Sequence, residues 1–142
     1  MAGVFSITQD AIRIHEWGDA TKRNCSSIQV VDNLLVSVWR LRHEREVVIM
    51  RICEAGVIDD GFWRGSCSHQ SLSKMGVWRE DGGVGICLPD ERNGRLDVFG
   101  YRNGRVEKRG EVSGGGGGMF DVGECEGVLA AVCGGDVWLY KR

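Results

Sequence analysis

The chain has 142 residues, 42% of them hydrophobic and 27% charged, with a formal net charge of −2. A chain of this length can bury roughly two thirds of its unfolded surface, so the sequence predicts one folded domain, residues 1–142. Its composition is far from the low hydrophobicity and high charge of disordered chains, so we expect an ordered core. The 22 glycines beside a single proline are typical of a protein with many tight turns.

Cysteine usage and hydropathy bear on where the protein works. The chain has 6 cysteines, but its first residues lack the basic start and the apolar run of about 7–15 residues that mark a secretory signal. Cys87 and Cys133 lie inside apolar runs, as buried thiols do. We therefore expect reduced cysteines and a cytosolic or nuclear location, most simply the cytoplasm. No apolar run approaches the roughly 18 residues of a membrane span, so we expect no membrane partner.

Apolar runs predict hairpins in the first part of the chain. Residues 4–17 predict a hairpin with its turn at 9–10, and residues 28–41 predict a second with its turn at 32–33. The run 34–39 is almost continuously apolar, which is typical of a strand covered on both faces.

The next two segments are less regular. Residues 40–51 contain good helix formers, but the β-branched run 47–49 loses rotamer freedom in a helix, which favours a hairpin with its turn at 43–45. From 54 to 74 no period is visible. A structureless stretch of that length is uncommon in a compact domain unless it is functional, so we predict a binding loop at 54–74 that presents Phe62 and Trp63.

Residues 76–112 predict a four-strand antiparallel meander. Its clearest turn is Asn103-Gly104, because Asn-Gly between strand-like flanks is the strongest short hairpin signal. A two-residue turn there places Tyr101 opposite Val106 and Phe99 opposite Lys108. The glycine run 114–118 then serves as a spacer.

The closing stretch 119–142 predicts three short strands joined by an acidic glycine turn and a Gly-Gly-Asp turn. An unpaired sheet edge is an aggregation hazard, so we expect the last strand to pair with residues 4–17 or with another molecule. The predicted fold class is all-β, with antiparallel meanders of some eleven or twelve strands forming a small propeller-like domain, a barrel or a sandwich.

The stretch 127–140 combines an apolar strand, a Gly-Gly-Asp turn and an aromatic-rich strand. In this it resembles the blades of WD-repeat and related β-propellers, well over 119–141 and more loosely over 76–112. The Gly-His pair and the Trp-Asp dipeptide of that family are absent, so its blade-specific hydrogen bonds are not carried over. The strands suffice for about three blades, whereas propellers typically have four to eight. The compact Arg-, Gly-, Val- and Glu-rich style also resembles small microsporidian ribosome-bound dormancy factors, which implies ribosome binding.

No residue pattern supports an enzyme. Cys53, Cys67 and His69 lack the close ligand pairs of structural zinc sites. No histidine has a local signature that places it beside a thiol. The glycine run 114–118 precedes a strand and lacks the Lys-Ser/Thr of a phosphate loop. We expect no catalytic residue, no metal, no cofactor and no small-molecule substrate.

Charge is unevenly distributed along the chain. Residues 92–109 hold six basic residues against Asp97 and Glu107, whereas 119–136 hold four acidic residues and no base. Arginine guanidinium groups suit carboxylate or phosphate partners. We predict a non-enzymatic β-rich module that docks onto protein subunits of a larger cytosolic assembly, because aromatic and Arg side chains dominate interface energetics.

The alternative is an RNA- or ribosome-binding factor, such as a translation-silencing or dormancy factor, that uses the hairpin 92–109. Basic side chains contact phosphates and aromatic rings stack on bases. A pI near 5.9 weighs against it, since nucleic-acid-binding domains are usually basic. The contact residues predicted for either function are Phe62, Trp63, Arg64, Arg92, Arg95, Phe99, Tyr101, Arg102, Arg105, Lys108 and Arg109.

Overall fold

The described residues of the protein form thirteen β-strands in the computed structural model. It describes residues 3–7, 11–16, 24–41, 43–54, 56–66, 75–90, 94–113, 119–133 and 136–141, and these residues contain no helix. The strands are β1 (Gly3–Ile7), β2 (Ala11–Glu16), β3 (Asn24–Val31), β4 (Leu34–Arg40), β5 (Glu44–Cys53), β6 (Gly56–Ser66), β7 (Gly76–Glu80), β8 (Gly83–Asp90), β9 (Arg95–Arg102), β10 (Arg105–Ser113), β11 (Met119–Cys125), β12 (Val128–Cys133) and β13 (Asp136–Lys141).

The strands form four antiparallel sheets, each built from strands that follow one another in the chain. Sheet A holds β1–β2, sheet B holds β3–β6, sheet C holds β7–β10 and sheet D holds β11–β13. The predicted all-β class with antiparallel meanders is confirmed, and so is the four-strand meander over 76–112. A hairpin is also present at 40–51, but its turn lies at 41–43 and not at 43–45, because Glu44 and Arg45 already belong to β5. Each described sheet has two open edges and does not close on itself. Of the predicted architectures, the stacked sandwich therefore describes these sheets and the closed barrel does not.

Sheets B and C pack face to face because alternate residues of their central strands are apolar. Val47 and Ile49 on β5 share one core cluster with Phe99 and Tyr101 on β9. Strand β3 lies against β7 and β6 lies against β10, so the two sheets are superposed from edge to edge. Each fully buried aliphatic or aromatic side chain contributes roughly 1.5–3 kcal/mol, which makes this layer a principal source of stability.

The opposite faces of both central sheets are also covered. Trp78 and Leu96 of sheet C pack with Leu129 and Ala131 of sheet D. On the far side of sheet B, residues that include Trp39 form a third cluster, and β2 of sheet A lies against β6. The predicted burial of strand 34–39 on both faces is confirmed.

Tight turns set the register of the hairpins. Asn103 and Gly104 adopt positive φ of 51° and 78°, as the Asn-Gly signal requires. The resulting register pairs Tyr101 with Val106 and Phe99 with Lys108, which confirms the prediction. Asp32 also has a positive φ, 53°, at the predicted turn between β3 and β4.

The prediction of a binding loop over 54–74 is wrong for its first half. Gly56–Ser66 forms the eleven-residue strand β6, which pairs with β5 through a bulge; residues 67–74 lie outside the described part of the chain. Gly61 lets β6 approach sheet C closely, because a Cβ atom there would lie 3.0 Å from a methyl carbon of Val106. The bulge and the glycines interrupt the alternation by which a strand is recognised.

The last strand does not pair with the described N-terminal strands. Among the described residues, β13 pairs with β12, and β1 and β2 pair with each other. The predicted closure of the sheet by residues 4–17 is therefore not seen, and none of the described strands pairs with the outer edge of β13. The described residues also include no helix of the length and hydropathy that crossing a membrane requires.

Candidate interaction surfaces

Acidic residues of β7 and of β10 itself pair with basic residues of the 95–109 hairpin. Arg109 forms a two-pronged ion pair with Glu80 of β7, with Nη1–Oε1 and Nη2–Oε2 distances of 2.6 and 2.7 Å. Lys108 Nζ lies 2.7 Å from Glu111 Oε1, and Arg105 Nη2 lies 3.1 Å from Glu107 Oε1. Glu80 and Glu111 lie outside the window 92–109, so more of its positive charge is compensated than the sequence count indicated.

Aromatic rings of the hairpin are not available to stack on bases, which corrects the prediction for Phe99 and Tyr101. Phe99 is fully buried and Tyr101 is 3% exposed. Trp63 also turns inward and packs edge-on against Phe99, with ring centroids 4.6 Å apart. All three lie on the faces of sheets B and C that form their shared core, where an aromatic ring contributes most by being buried.

Two of the predicted contact residues remain together on an accessible face of β6. Phe62 is 53% exposed, and the Arg64 guanidinium carbon lies 5.6 Å from the centre of its ring. Arg64 Nε also donates to Glu46 Oε1 at 3.0 Å, which holds the guanidinium in place. Of the other predicted residues, Arg102 is exposed and donates to the Asp81 carbonyl at 2.7 Å, and Arg92 lies outside the described residues.

A buried ionic cluster joins sheets B and C at one end of their common core. Arg45 Nη2 lies 2.7 Å from Asp97 Oδ2, and Arg45 Nη1 donates to the Pro89 carbonyl at 3.1 Å. Arg95 Nε and Lys108 Nζ approach Asp97 Oδ1 at 3.1 and 3.3 Å. The Asp97 side chain is only 4% exposed, so three basic groups compensate one buried carboxylate. The predicted contact residues Arg95 and Lys108 therefore have a role inside the protein.

A second polar group lies at the opposite end of the same layer. Arg51 Nη2 lies 2.8 Å from Asp60 Oδ2, and the Tyr101 hydroxyl donates to that same oxygen. Burial raises the pKa of Tyr101, and the hydrogen bond to Asp60 raises it further. These groups line an open cleft of about 480 Å³. Two donors of the protein already contact Oδ2 of Asp60. The arrangement therefore links β6 to β9 and has a structural role.

Sheet D has an apolar outer face that the described residues leave uncovered. Residues Leu129 and Ala131 of β12 are buried against sheet C, whereas their neighbours point the other way. Val137 and Leu139 are 68% and 69% exposed, and Val128 is 37% exposed. With Ala130, which pairs with Leu139, they form one apolar surface that we call the open face: Val128, Ala130, Val137 and Leu139. The exposed Lys141 pairs with Val128 and lies at the end of this face. Grouped exposed aliphatic side chains of this kind mark interaction sites.

A cleft of about 590 Å³ lies between sheets C and D and is lined by residues of β7, β9, β10, β12 and β13. We call it the C–D cleft. Trp78 lines it, and its Nε1 donates to Glu80 Oε1 at 2.9 Å. Arg109, anchored on the same carboxylate, lies across Gly100. The remaining lining residues are Arg79, Glu80, Asp81, Val98, Val112, Leu129, Tyr140 and Lys141.

Thiols and metal ligands form no further site within the described ranges. Cys87 is fully buried, as predicted for a thiol in an apolar run, whereas Cys133 lies where side chains are not described. No three of the described His, Cys, Asp and Glu residues are grouped as a metal site would need.

Comparison with known proteins identifies no family. No family profile matches the chain, and no curated protein sequence matches it. Among solved structures the chain is similar to the crystal structure of the computationally designed Ika4 protein. That similarity has 10% sequence identity and a TM-score of 0.38, and it covers 83% of this chain and 91% of the designed one.

Proposed function

We propose that the protein is a non-enzymatic, cytoplasmic interaction module that docks onto a protein subunit of a larger assembly through the open face of sheet D. The observation that carries the proposal is the exposure of Val137 and Leu139, 68% and 69%, on a sheet whose other face is packed into a core. Burying either side chain fully contributes roughly 1.5–3 kcal/mol, so covering the pair is a substantial driving force for association.

The partner surface that fits best is another β-sheet with an apolar face. Sheet C packs between sheets B and D, and the apolar residues on the far face of sheet B are also buried. The open face carries aliphatic side chains alternating along β12 and β13, the pattern by which sheets pack at about 10 Å from one another. A β-rich subunit would therefore continue the stacking that the chain already uses.

Nucleic acid fits this surface poorly. Val128, Val137 and Leu139 offer no donor to phosphate groups. Of the described basic residues of the hairpin, Arg105, Lys108 and Arg109 already have carboxylate partners, whereas Arg102 donates to the Asp81 carbonyl. Binding dominated by phosphate contacts also requires Lys and Arg side chains that are free to neutralise phosphates and so displace the counterions of the nucleic acid. The net charge of −2 adds no general attraction.

The test is affinity capture from native extract, with RNase treatment as one variable and the open face as the other. The variant is Val137→Asp with Leu139→Asp, and the matched control is Ile28→Asp with Val30→Asp, two exposed apolar residues on the edge strand of sheet B. We expect wild type and control to retain the same protein partner after RNase, and the open-face variant to lose it at least tenfold. If wild type, variant and control all capture the partner equally without RNase, and all lose it after RNase treatment, the RNA- or ribosome-binding alternative is favoured.

A further inference from the structure

Two arginines lie directly opposite each other on strands β4 and β5. Arg40 pairs with Arg45 in the antiparallel register, so their Cβ atoms are about 4.5–5.5 Å apart and their side chains project from the same face of sheet B. That face is turned toward sheet C, where Arg45 contacts Pro89 and Asp97. Like charges placed directly opposite each other destabilise a sheet. The pair therefore carries an electrostatic cost unless a negative group lies close to both guanidinium groups.

A small cavity lies between these arginines and sheet C. It measures about 10 Å³, which is room for about one water-sized particle. Arg40 and Arg45 both line it, together with Leu88 and Pro89 of β8. The Nε atoms of both arginines are buried and have no hydrogen-bond partner among the described residues. Because buried polar groups of folded proteins nearly always have a partner, these two N–H groups indicate that the cavity holds an acceptor.

Strand β3 adds a third donor to the cavity. A bulge in β3 brings two successive residues, Ser26 and Ser27, to the cavity wall. The hydroxyl of Ser26 donates to the Val38 carbonyl at 3.1 Å, so its hydrogen is already used. The hydroxyl of Ser27 instead accepts from the Met75 backbone N–H at 3.5 Å, and an accepting hydroxyl keeps its own hydrogen for donation. The donors that line the cavity are therefore two charged N–H groups and one hydroxyl.

The charge around the cavity decides between water and an anion. Three basic and three acidic side chains form one network next to it, with N–O distances between 2.7 and 3.4 Å: Arg45, Arg95, Lys108, Asp90, Asp97 and Glu111. Arg40 forms no ion pair with any described residue and adds one positive charge to this end of the layer. A water molecule would accept from both Nε–H groups but would leave that charge uncompensated. A monovalent anion satisfies the donors and the charge together.

We propose that this cavity is a binding site for a small monovalent inorganic anion of the size of chloride, held by the Nε–H groups of Arg40 and Arg45 and by the Ser27 hydroxyl. Phosphate and carboxylate groups have several heavy atoms and do not fit a cavity of this volume. Chloride is slightly larger than water, and the partly exposed Arg40 side chain can move to admit it. The bound anion links β3, β4 and β5, so its occupancy sets the stability of this end of the layer. The inference is independent of the proposed docking function.

The test is thermal unfolding of the full chain while sodium chloride replaces sodium gluconate at constant ionic strength. General screening then stays constant, and gluconate is too large for the cavity. We expect a Tm that rises and saturates with chloride, by roughly 3–7 °C at about ten times the dissociation constant. Chlorine-35 NMR detects the binding directly, because chloride that exchanges with a protein site gives a broadened line.

Variants assign the effect to the cavity. Arg40→Met removes one donor and the excess charge, so it should lose the chloride-dependent rise and be no less stable than wild type in gluconate. Ser27→Ala should weaken chloride binding roughly two- to tenfold, the effect of one hydrogen bond. The matched control is Arg105→Met, which removes an arginine whose side chain is 79% exposed and should leave the chloride effect unchanged.

A Tm that does not depend on chloride at constant ionic strength overturns the proposal, since the cavity then holds water. The same chloride-dependent rise in Arg40→Met and wild type also overturns it, because the effect then arises elsewhere on the protein. A marked loss of stability of Arg40→Met in gluconate overturns it too, because Arg40 then has a stabilising partner without the anion. Should Arg40→Met fail to fold, Ser27→Ala decides alone, and an unchanged dissociation constant for chloride in that variant contradicts the site.

Discussion

Replacing Asp97 by alanine removes the carboxylate that ties sheet B to sheet C. Its side chain is 4% exposed, and its partner Arg45 is 7% exposed, so the variant leaves an uncompensated guanidinium inside the protein. Breaking a buried ion pair in this way costs about 3–5 kcal/mol. This is a large part of the roughly 5–15 kcal/mol by which typical domains are stable. For a chain of this length it corresponds to a fall in Tm of roughly 10–20 °C.

Urea unfolding followed by tryptophan fluorescence measures the effect, and a double-mutant cycle with Arg45→Met assigns it to the pair. The double variant removes both buried charges, while Arg95 and Lys108 keep Glu111 as a partner. Its loss should therefore be smaller than the sum of the single losses by more than about 1 kcal/mol. Arg105→Ala breaks an exposed pair and should change stability by less than about 0.5 kcal/mol. A cost below about 1 kcal/mol for Asp97→Ala, or additive single variants, would refute the reasoning.

Three further predictions concern the same two sheets. Gly61→Ala should lower the free energy of unfolding in urea by about 1–3 kcal/mol, because its Cβ meets a packed methyl carbon at 3.0 Å. The control Gly110→Ala has nothing within 4 Å of its Cβ and should lower it less. Equal losses for the two variants would contradict the prediction. The pKa of Tyr101 is raised in the folded protein, so its stabilising effect is complete below the ordinary tyrosine pKa near 10 and is lost as pH rises through the folded pKa. Tyrosinate absorbance and alkaline unfolding follow this loss, and an unchanged alkaline unfolding profile in Tyr101→Phe would refute the prediction. Lys108→Met should raise the pKa of Glu111, because the hydrogen bond from Lys108 lowers it, and an unaltered carboxyl titration by carbon-13 NMR would show another cause.

Local sequence signals predicted most of the strands because turns and alternation are local properties. Asn103-Gly104 specified both the hairpin and its register, and the apolar run of β4 specified a strand covered on both faces. The strand β6 was missed because Gly61 and a bulge interrupt its alternation. A glycine required by a close approach between sheets looks, in sequence, like a glycine in a loop.

The interaction surfaces were harder to predict because they depend on which sheet faces which. Arg45 and Asp97 are 52 residues apart in the chain, so no window places them together. Phe99 and Tyr101 were predicted as contact residues because basic residues adjoin them in the chain, but sheet B covers both. The open face did leave a signal: residues 137–140 are apolar at every position, although only one side of β13 packs against sheet C. The resemblance to propeller blades stays a prediction.

Site-specific photo-crosslinking tests the central claim most directly. A photoreactive benzoylphenylalanine is placed at Leu139 on the open face, and in a second protein at Arg105, which is 79% exposed on the basic hairpin. Irradiation in native extract should join the Leu139 position to one protein partner in RNase-resistant form and leave the Arg105 position without a nucleic-acid adduct. A nucleic-acid adduct at Arg105 together with no protein adduct at Leu139 would contradict the account.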